Sequence, residues 1–195
     1  MIAIVNYGVG NLKSILKAVE AVGGNARVTF DLDVIKKASG IILPGVGAFK
    51  TAIYKIKPIW KEFPEIPKLG ICLGMQLFAT RSYEDGVHEG LNVIPGEVVR
   101  FPPSVGKIPH MGWNEVRIRR KSELLEGIED GSMVYFVHSY YLMTDERFVT
   151  AETDYGITFP SAVEAGNCYG VQFHPEKSGN IGLRILENFL RIAKA

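Results

Sequence analysis

Cys72 stands between two glycines in Gly70-Ile71-Cys72-Leu73-Gly74-Met75-Gln76, after one apolar run and before another. That spacing predicts a tight strand-to-helix turn with a thiol at its apex, the sulfur counterpart of the Gly-x-Ser-x-Gly nucleophile elbow. A thiol at a helix N-terminus meets the positive end of the helix dipole, which favours thiolate. Against this stands the ordinary behaviour of a free cysteine, which is to be buried and inert. A cysteine nucleophile also needs a base. Of the four histidines, His88, His110, His138 and His174, the last is best placed, in Val171-Gln172-Phe173-His174-Pro175-Glu176. In extended chain, residues i and i+2 face the same side. Glu176 can then hold the His174 imidazole in one tautomer and stabilise its protonated form. Alone, a His-Pro-Glu tripeptide says little; beside the elbow it supplies what the thiol lacks.

Acyl transfer further requires donors for an oxyanion. Pro44-Gly45-Val46-Gly47 follows an apolar run, and its glycines allow the N–H groups of Val46 and Gly47 to turn towards a substrate oxygen. The N–H of Leu73, just after the nucleophile, is the second expected donor. Taken alone, the loop reads equally well as an ordinary strand-to-helix turn. Gly8-Val9-Gly10 invites a dinucleotide-fold reading, but Lys13 stands where the third glycine belongs, so no nucleotide cofactor is expected there. No metal site is expected either, because His138 and His174 lack a second His or Cys at ligand spacing. His138 reads as structural. Pro109-His110-Met111-Gly112-Trp113-Asn114 fits a core-capping turn or a contact surface, and composition does not choose between them.

These residues need elements to hold them. Apolar runs predict strands over 2–6, 26–30, 40–43 and 68–71, alternating with helices over about 11–22, 31–38, 48–57 and 75–81. Asn11 suits an N-cap, and Gly23-Gly24 stops the first helix. The alternation predicts an α/β fold with a mostly parallel central sheet covered by helices on both faces. The second half changes character. Short strand candidates at 96–101, 112–119, 133–142, 148–153, 161–164 and 169–173 predict added antiparallel pairing. A final amphipathic helix spans about 179–194. No repeat or linker divides the 195 residues, so one domain over 1–195 is expected.

Composition excludes several classes. A net charge of +1 without long runs of one sign argues against a broad nucleic-acid surface. No stretch approaches the ~20 apolar residues that span a bilayer, and Met1-Ile2-Ala3-Ile4-Val5 lacks the basic leader of a signal peptide. Cys72 and Cys168 read as free thiols in a reducing compartment, and the cytoplasm is expected.

Together the elbow, the Pro-Gly-Val-Gly loop and Val-Gln-Phe-His-Pro-Glu resemble the class I (triad-type) glutamine amidotransferases, whose core is flavodoxin-like. Within that class the chain is similar to the glutaminase subunits of imidazole glycerol phosphate synthases. The segments that carry this are residues 6–12, 44–49, 90–96, 109–114, 135–140 and 174–178, spread from end to end. The resemblance implies that Cys72 attacks the side-chain amide of glutamine, with His174 and Glu176 completing the triad, and that no cofactor takes part. It implies that Gly47, Gln76, Glu84, Ser139 and Tyr140 hold the glutamine. Thr80-Arg81-Ser82-Tyr83 departs from the acidic run common near Glu84, and Asn6 stands where many relatives carry Asp. The implied partner is a (β/α)8-barrel cyclase that receives the ammonia, facing Asn11, Trp113, Tyr135 and Lys177. The implied product is imidazole glycerol phosphate, with an aminoimidazole carboxamide ribotide, in histidine biosynthesis. Low activity without the partner is expected, the glycines of the 45–47 loop letting its donor turn away. Rival readings are another amidotransferase subunit, a non-catalytic regulatory relative, or an unassisted hydrolase of other amides. Residues 110–114 and 174–178 argue against the first. The retained Cys72, His174 and Glu176 argue against the second, and a partner-like Trp113 against the third.

Overall fold

Four-residue apolar strands set the centre of the molecule. The computed structural model describes residues 1–8 and 10–194; Val9, within the 6–12 segment, and Ala195 lie outside the described residues. The first half runs β1 (Ile2–Val5), α1 (Leu12–Ala21), β2 (Ala26–Thr29), α2 (Leu32–Lys36), β3 (Gly40–Leu43), α3 (Phe49–Ile56), β4 (Lys68–Ile71) and α4 (Leu73–Gln76). There follow β5 (Ala79–Ser82), β6 (His88–Glu89), β7 (Ile94–Arg100), β8 (His110–Ile118) and β9 (Ser132–His138). The chain ends with β10 (Tyr140–Thr144), β11 (Val149–Asp154), β12 (Thr158–Ala165), β13 (Cys168–Val171) and α5 (Gly179–Ile192).

A nine-stranded sheet has the order β2-β1-β3-β4-β13-β12-β11-β8-β9. The pairs from β2 to β13 are parallel, and those from β13 to β9 antiparallel. Alternation along β1 divides the core. Ile2 and Ile4 join Ile15 and Val19 of α1 and Leu186 and Phe189 of α5 on one face. Ala3 and Val5 join Ile35 of α2 and Phe49 and Ile53 of α3 on the other. Both faces are therefore covered, which is why the strands read as continuous apolar runs.

Several expectations needed correction. The predicted helix over 75–81 stops after one turn, and β5 replaces its second half. Phe78, Ala79 and their neighbours are buried all round, so periodicity could not separate helix from strand. The amides of Val93 and Ile94 both donate to the Phe78 carbonyl, at 2.9 Å each, and tertiary pairing decides the matter. β5 and β6 join β7 and β10 in a second sheet of order β10-β7-β5-β6, in which β5 and β7 run parallel. The single strand expected over 133–142 is two strands in two sheets, divided at Ser139. The segment 169–173 supplies a central parallel strand, paired with β4, as well as an antiparallel neighbour for β12. Asn11 occupies the N-cap of α1 without a side-chain capping bond, while Asp31 caps α2 by accepting from the Asp33 amide at 2.9 Å.

Candidate active site

Cys72 directly follows β4, and its backbone lies at φ 50°, ψ −106°, a region that non-glycine residues rarely adopt. The turn is held by the Cys72 amide donating to the Val171 carbonyl at 2.7 Å on the neighbouring β13. Gly74 is required by close approach: a Cβ there would sit 2.0 Å from the Leu43 carbonyl oxygen. Because α4 is a single turn of four residues, its dipole is weaker than the sequence expectation assumed. Cys72 is 6% exposed and borders a cavity of about 340 Å³. Val46, Gly47 and Leu73 line the same cavity, as do Gln76, Glu84, Ser139 and Tyr140. Gly47 has φ 134°, which favours glycine. The expected oxyanion donors and substrate contacts thus surround one space beside Cys72.

His174 follows β13, its amide donating to the Tyr135 carbonyl at 2.9 Å. Its Nδ1 lies 2.9 Å from Glu176 Oε1, with the two side chains 1% and 2% exposed. The contact arises differently from the sequence expectation. Residues Pro175–Lys177 form a 3-10 turn, and this turn rather than extended chain brings Glu176 back to the ring. His174 Nε2 is buried and has no partner of hydrogen-bonding geometry among the described residues, although the Cys72 sulfur is near enough to act on its charge. Burial pushes the imidazole down, but the negative charge of Cys72, then Glu176, outweigh it and raise the pKa to about 10. Glu84 accepts from the Phe49 amide at 2.9 Å, and burial pushes its carboxyl up.

Two residues near the thiol were not singled out from sequence. Gln172, fully buried, donates Nε2 to Cys72 Sγ at 3.4 Å and accepts on Oε1 from Gln76 Nε2 at 3.1 Å. The available signal was a lone amide inside an apolar strand, since a buried polar group needs partners. Tyr7, also buried, donates its hydroxyl to the Pro44 carbonyl and so anchors the start of the 44–47 loop. Burial, then the Cys72 charge, push its phenol far above the usual range. Gln76 Nε2 is already engaged by Gln172 and by the Tyr140 carbonyl at 2.9 Å, leaving its Oε1 to face a ligand.

Trp113, Tyr135 and Lys177 are brought together. Trp113 is 54% exposed and pairs across β8–β9 with Tyr135, ring centroids 6.1 Å apart. Lys177 Nζ stands 5.7 Å from the Tyr135 ring centre. Asn11 is exposed at the start of α1, and no hydrogen bond or ring contact among the described residues joins it to that trio. The segment 109–114 is not the core-capping turn that the sequence offered as one reading. It opens β8, turning His110 into the core and Met111 and Trp113 outward. Cys72 and Cys168 are both free thiols, and burial lifts Cys168 to about 11.

The family model for glutamine amidotransferase class-I matches residues 3–193, and the chain belongs to that family. Within it, the chain groups with the imidazole glycerol phosphate synthase subunits HisH. It is 65% identical to the subunit so described from Archaeoglobus fulgidus, over 100% of both chains. It is 50% identical to that from Syntrophotalea carbinolica, over 97% of this chain and 98% of the other. The fold is shared more widely: PurLQS from Thermotoga maritima superposes with a TM-score of 0.73 at 17% identity, covering 97% of each chain.

Proposed function

We propose that the chain, acting as one domain over 1–195, is the glutaminase subunit of an imidazole glycerol phosphate synthase. It hydrolyses L-glutamine to L-glutamate and ammonia, and passes the ammonia to a cyclase subunit in a cytoplasmic heterodimer. The observation that carries this reading is the buried His174–Glu176 pair beside Cys72, which borders the 340 Å³ cavity.

Cys72 Sγ attacks the side-chain amide carbon. The oxyanion is held by the N–H groups of Val46 or Gly47 and of Leu73. His174, whose pKa is raised beside Cys72 and Glu176, takes the proton of the Cys72 thiol and gives it to the leaving ammonia, so that the C–N bond breaks and the thioester forms. The same Nε2 then takes a proton from the water that attacks the thioester carbonyl, and the C–S bond breaks to release glutamate and return the thiol. Glu176 holds Nδ1 throughout. Gly47, Gln76, Glu84, Ser139 and Tyr140 hold the glutamine.

The ammonia reacts on a (β/α)8-barrel cyclase with a phosphorylated ribulosyl carboxamide nucleotide, giving imidazole glycerol phosphate and an aminoimidazole carboxamide ribotide. The exposed Trp113, with Tyr135 and Lys177 beside it, faces that partner, and Asn11 extends the contact. No helix among the described residues is long and apolar enough to cross a bilayer. Glutamate release is the test, measured for the purified chain alone and with the cyclase and its nucleotide ligand. Strong activation by both is expected. High turnover by the chain alone, or none in the complex, contradicts the proposal.

A further inference from the structure

Two histidines outside the Cys72–His174–Glu176 cluster form a continuous hydrogen-bonded line that ends at the cavity. His110 and His138 face each other across β8–β9, with His110 Nδ1 3.0 Å from His138 Nε2. His138 Nδ1 lies 2.8 Å from the Tyr140 carbonyl oxygen. At the other end, Asn114 Nδ2 lies 3.2 Å from His110 Nε2 and 2.8 Å from the Asp154 carbonyl, while Asn114 Oδ1 accepts from the Glu115 amide at 2.8 Å.

Chemistry fixes the direction of every bond in this line. A carbonyl can only accept, so His138 carries its proton on Nδ1, and its Nε2 must accept. His110 then donates from Nδ1 and accepts on Nε2, and Asn114 donates, in the amide orientation that its other two contacts require. The rings are boxed by aromatics. His110 stacks on Tyr155 with centroids 4.0 Å apart and on Phe136 at 4.7 Å, and His138 sits 5.1 Å from both Phe101 and Phe159. In this apolar box an unpaired ring nitrogen is costly, so the two histidines hold each other in register. Burial keeps both uncharged, with His110 lowered to about 4 and His138 to about 3.

The line terminates on the backbone that lines the cavity. The Tyr140 carbonyl accepts from His138 Nδ1 and from Gln76 Nε2, and the Ser139 carbonyl accepts from the Phe101 amide at 3.0 Å. Both carbonyls are therefore engaged from inside the protein, which fixes the orientation of this turn.

We propose that His110 and His138 are positioning residues of the glutaminase site, a proton-ordered pair that fixes the Ser139–Tyr140 backbone in the form that binds glutamine. The proposal rests on the reading that this backbone contacts the substrate. His138 acts directly on the Tyr140 carbonyl. His110 acts through His138 and touches neither the cavity nor the thiol.

The test uses the complex with the cyclase and its nucleotide ligand. His110→Phe keeps the ring stacking but removes the donor to His138. His110→Asn restores a donor near the Nδ1 position. The expected result for His110→Phe is a KM for glutamine raised about threefold to tenfold, the worth of one buried hydrogen bond, with kcat within about twofold. His110→Asn returns KM to within about twofold of the parent, and ammonia-dependent synthesis is unchanged in both. An unchanged KM, a fall in kcat alone, or equal defects in Phe and Asn overturns the proposal. If His110→Phe does not fold, Asn114→Ala reads the same line from its far end, and an unchanged KM there also overturns it. Failure of the underlying functional reading looks different: the parent complex itself then releases no glutamate.

Discussion

At residue scale, Cys72 trades backbone comfort for position. Its φ of 50° and ψ of −106° cost a side chain on the order of 1–3 kcal/mol, a cost that glycine largely escapes. Cys72→Gly is therefore expected to be more stable than Cys72→Ala by about 1 kcal/mol in urea unfolding, although both lack the thiol. Equal stabilities would mean that the turn is relaxed. The cluster around this residue was only partly legible in the sequence. Cys72 announces itself through its flanking glycines, and His174 with Glu176 through two-residue spacing. Gln172 and Tyr7 were missed because their partners are remote: Gln172 meets Cys72 across 100 positions, and Tyr7 meets Pro44 across 37. No local pattern encodes such contacts, which only the assembled sheet creates.

At the scale of elements, the site is a set of strand ends brought level by parallel pairing. β3 delivers the 44–47 loop, β4 the elbow and β13 the histidine, because β3–β4 and β4–β13 pair in register. Gly74 is the point where this packing tolerates no side chain. Gly74→Ala would press a methyl to 2.0 Å from the Leu43 carbonyl and is expected to destabilise by about 3 kcal/mol, seen as a lower urea midpoint. The β8–β9 ladder plays the other role, presenting Trp113 outward while its alternate residues pack inward. Trp113→Ala is expected to weaken cyclase binding about 30-fold by titration, as for an interface hot spot of about 2 kcal/mol, with the triad untouched. The βα alternation of the first half was readable because each strand is a short apolar run closed by turn residues. The break at Ser139 was not readable. Neither glycine nor proline marks it, and where the chain changes sheets the Ser139 and Tyr140 carbonyls are held by Phe101, His138 and Gln76, all remote or irregular contacts.

At the scale of the molecule, buried histidines set opposite pH dependences. His110 and His138 are lowered from 6.5 to about 4 and about 3, so the unfolded chain binds protons that the folded chain refuses. Their contribution is present above 6.5 and is lost as pH falls towards 4 and below. His174 is raised to about 10, so its contribution is complete below 6.5 and is lost as pH rises through about 10. Unfolding free energies measured from pH 4.5 to 10.5 should therefore decline at both ends. His110→Phe should flatten the acid side only; an unchanged acid slope would mean that His110 is free to ionise in the fold. In the proposed function Cys72 makes ammonia for chemistry carried out elsewhere in the complex. The most direct measurement compares imidazole glycerol phosphate formation by the Cys72→Ala complex with glutamine and with ammonia as nitrogen source. The glutamine-dependent rate is expected to disappear while the ammonia-dependent rate stays close to the parent. Equal loss of both rates would contradict it and leave Cys72 a structural residue.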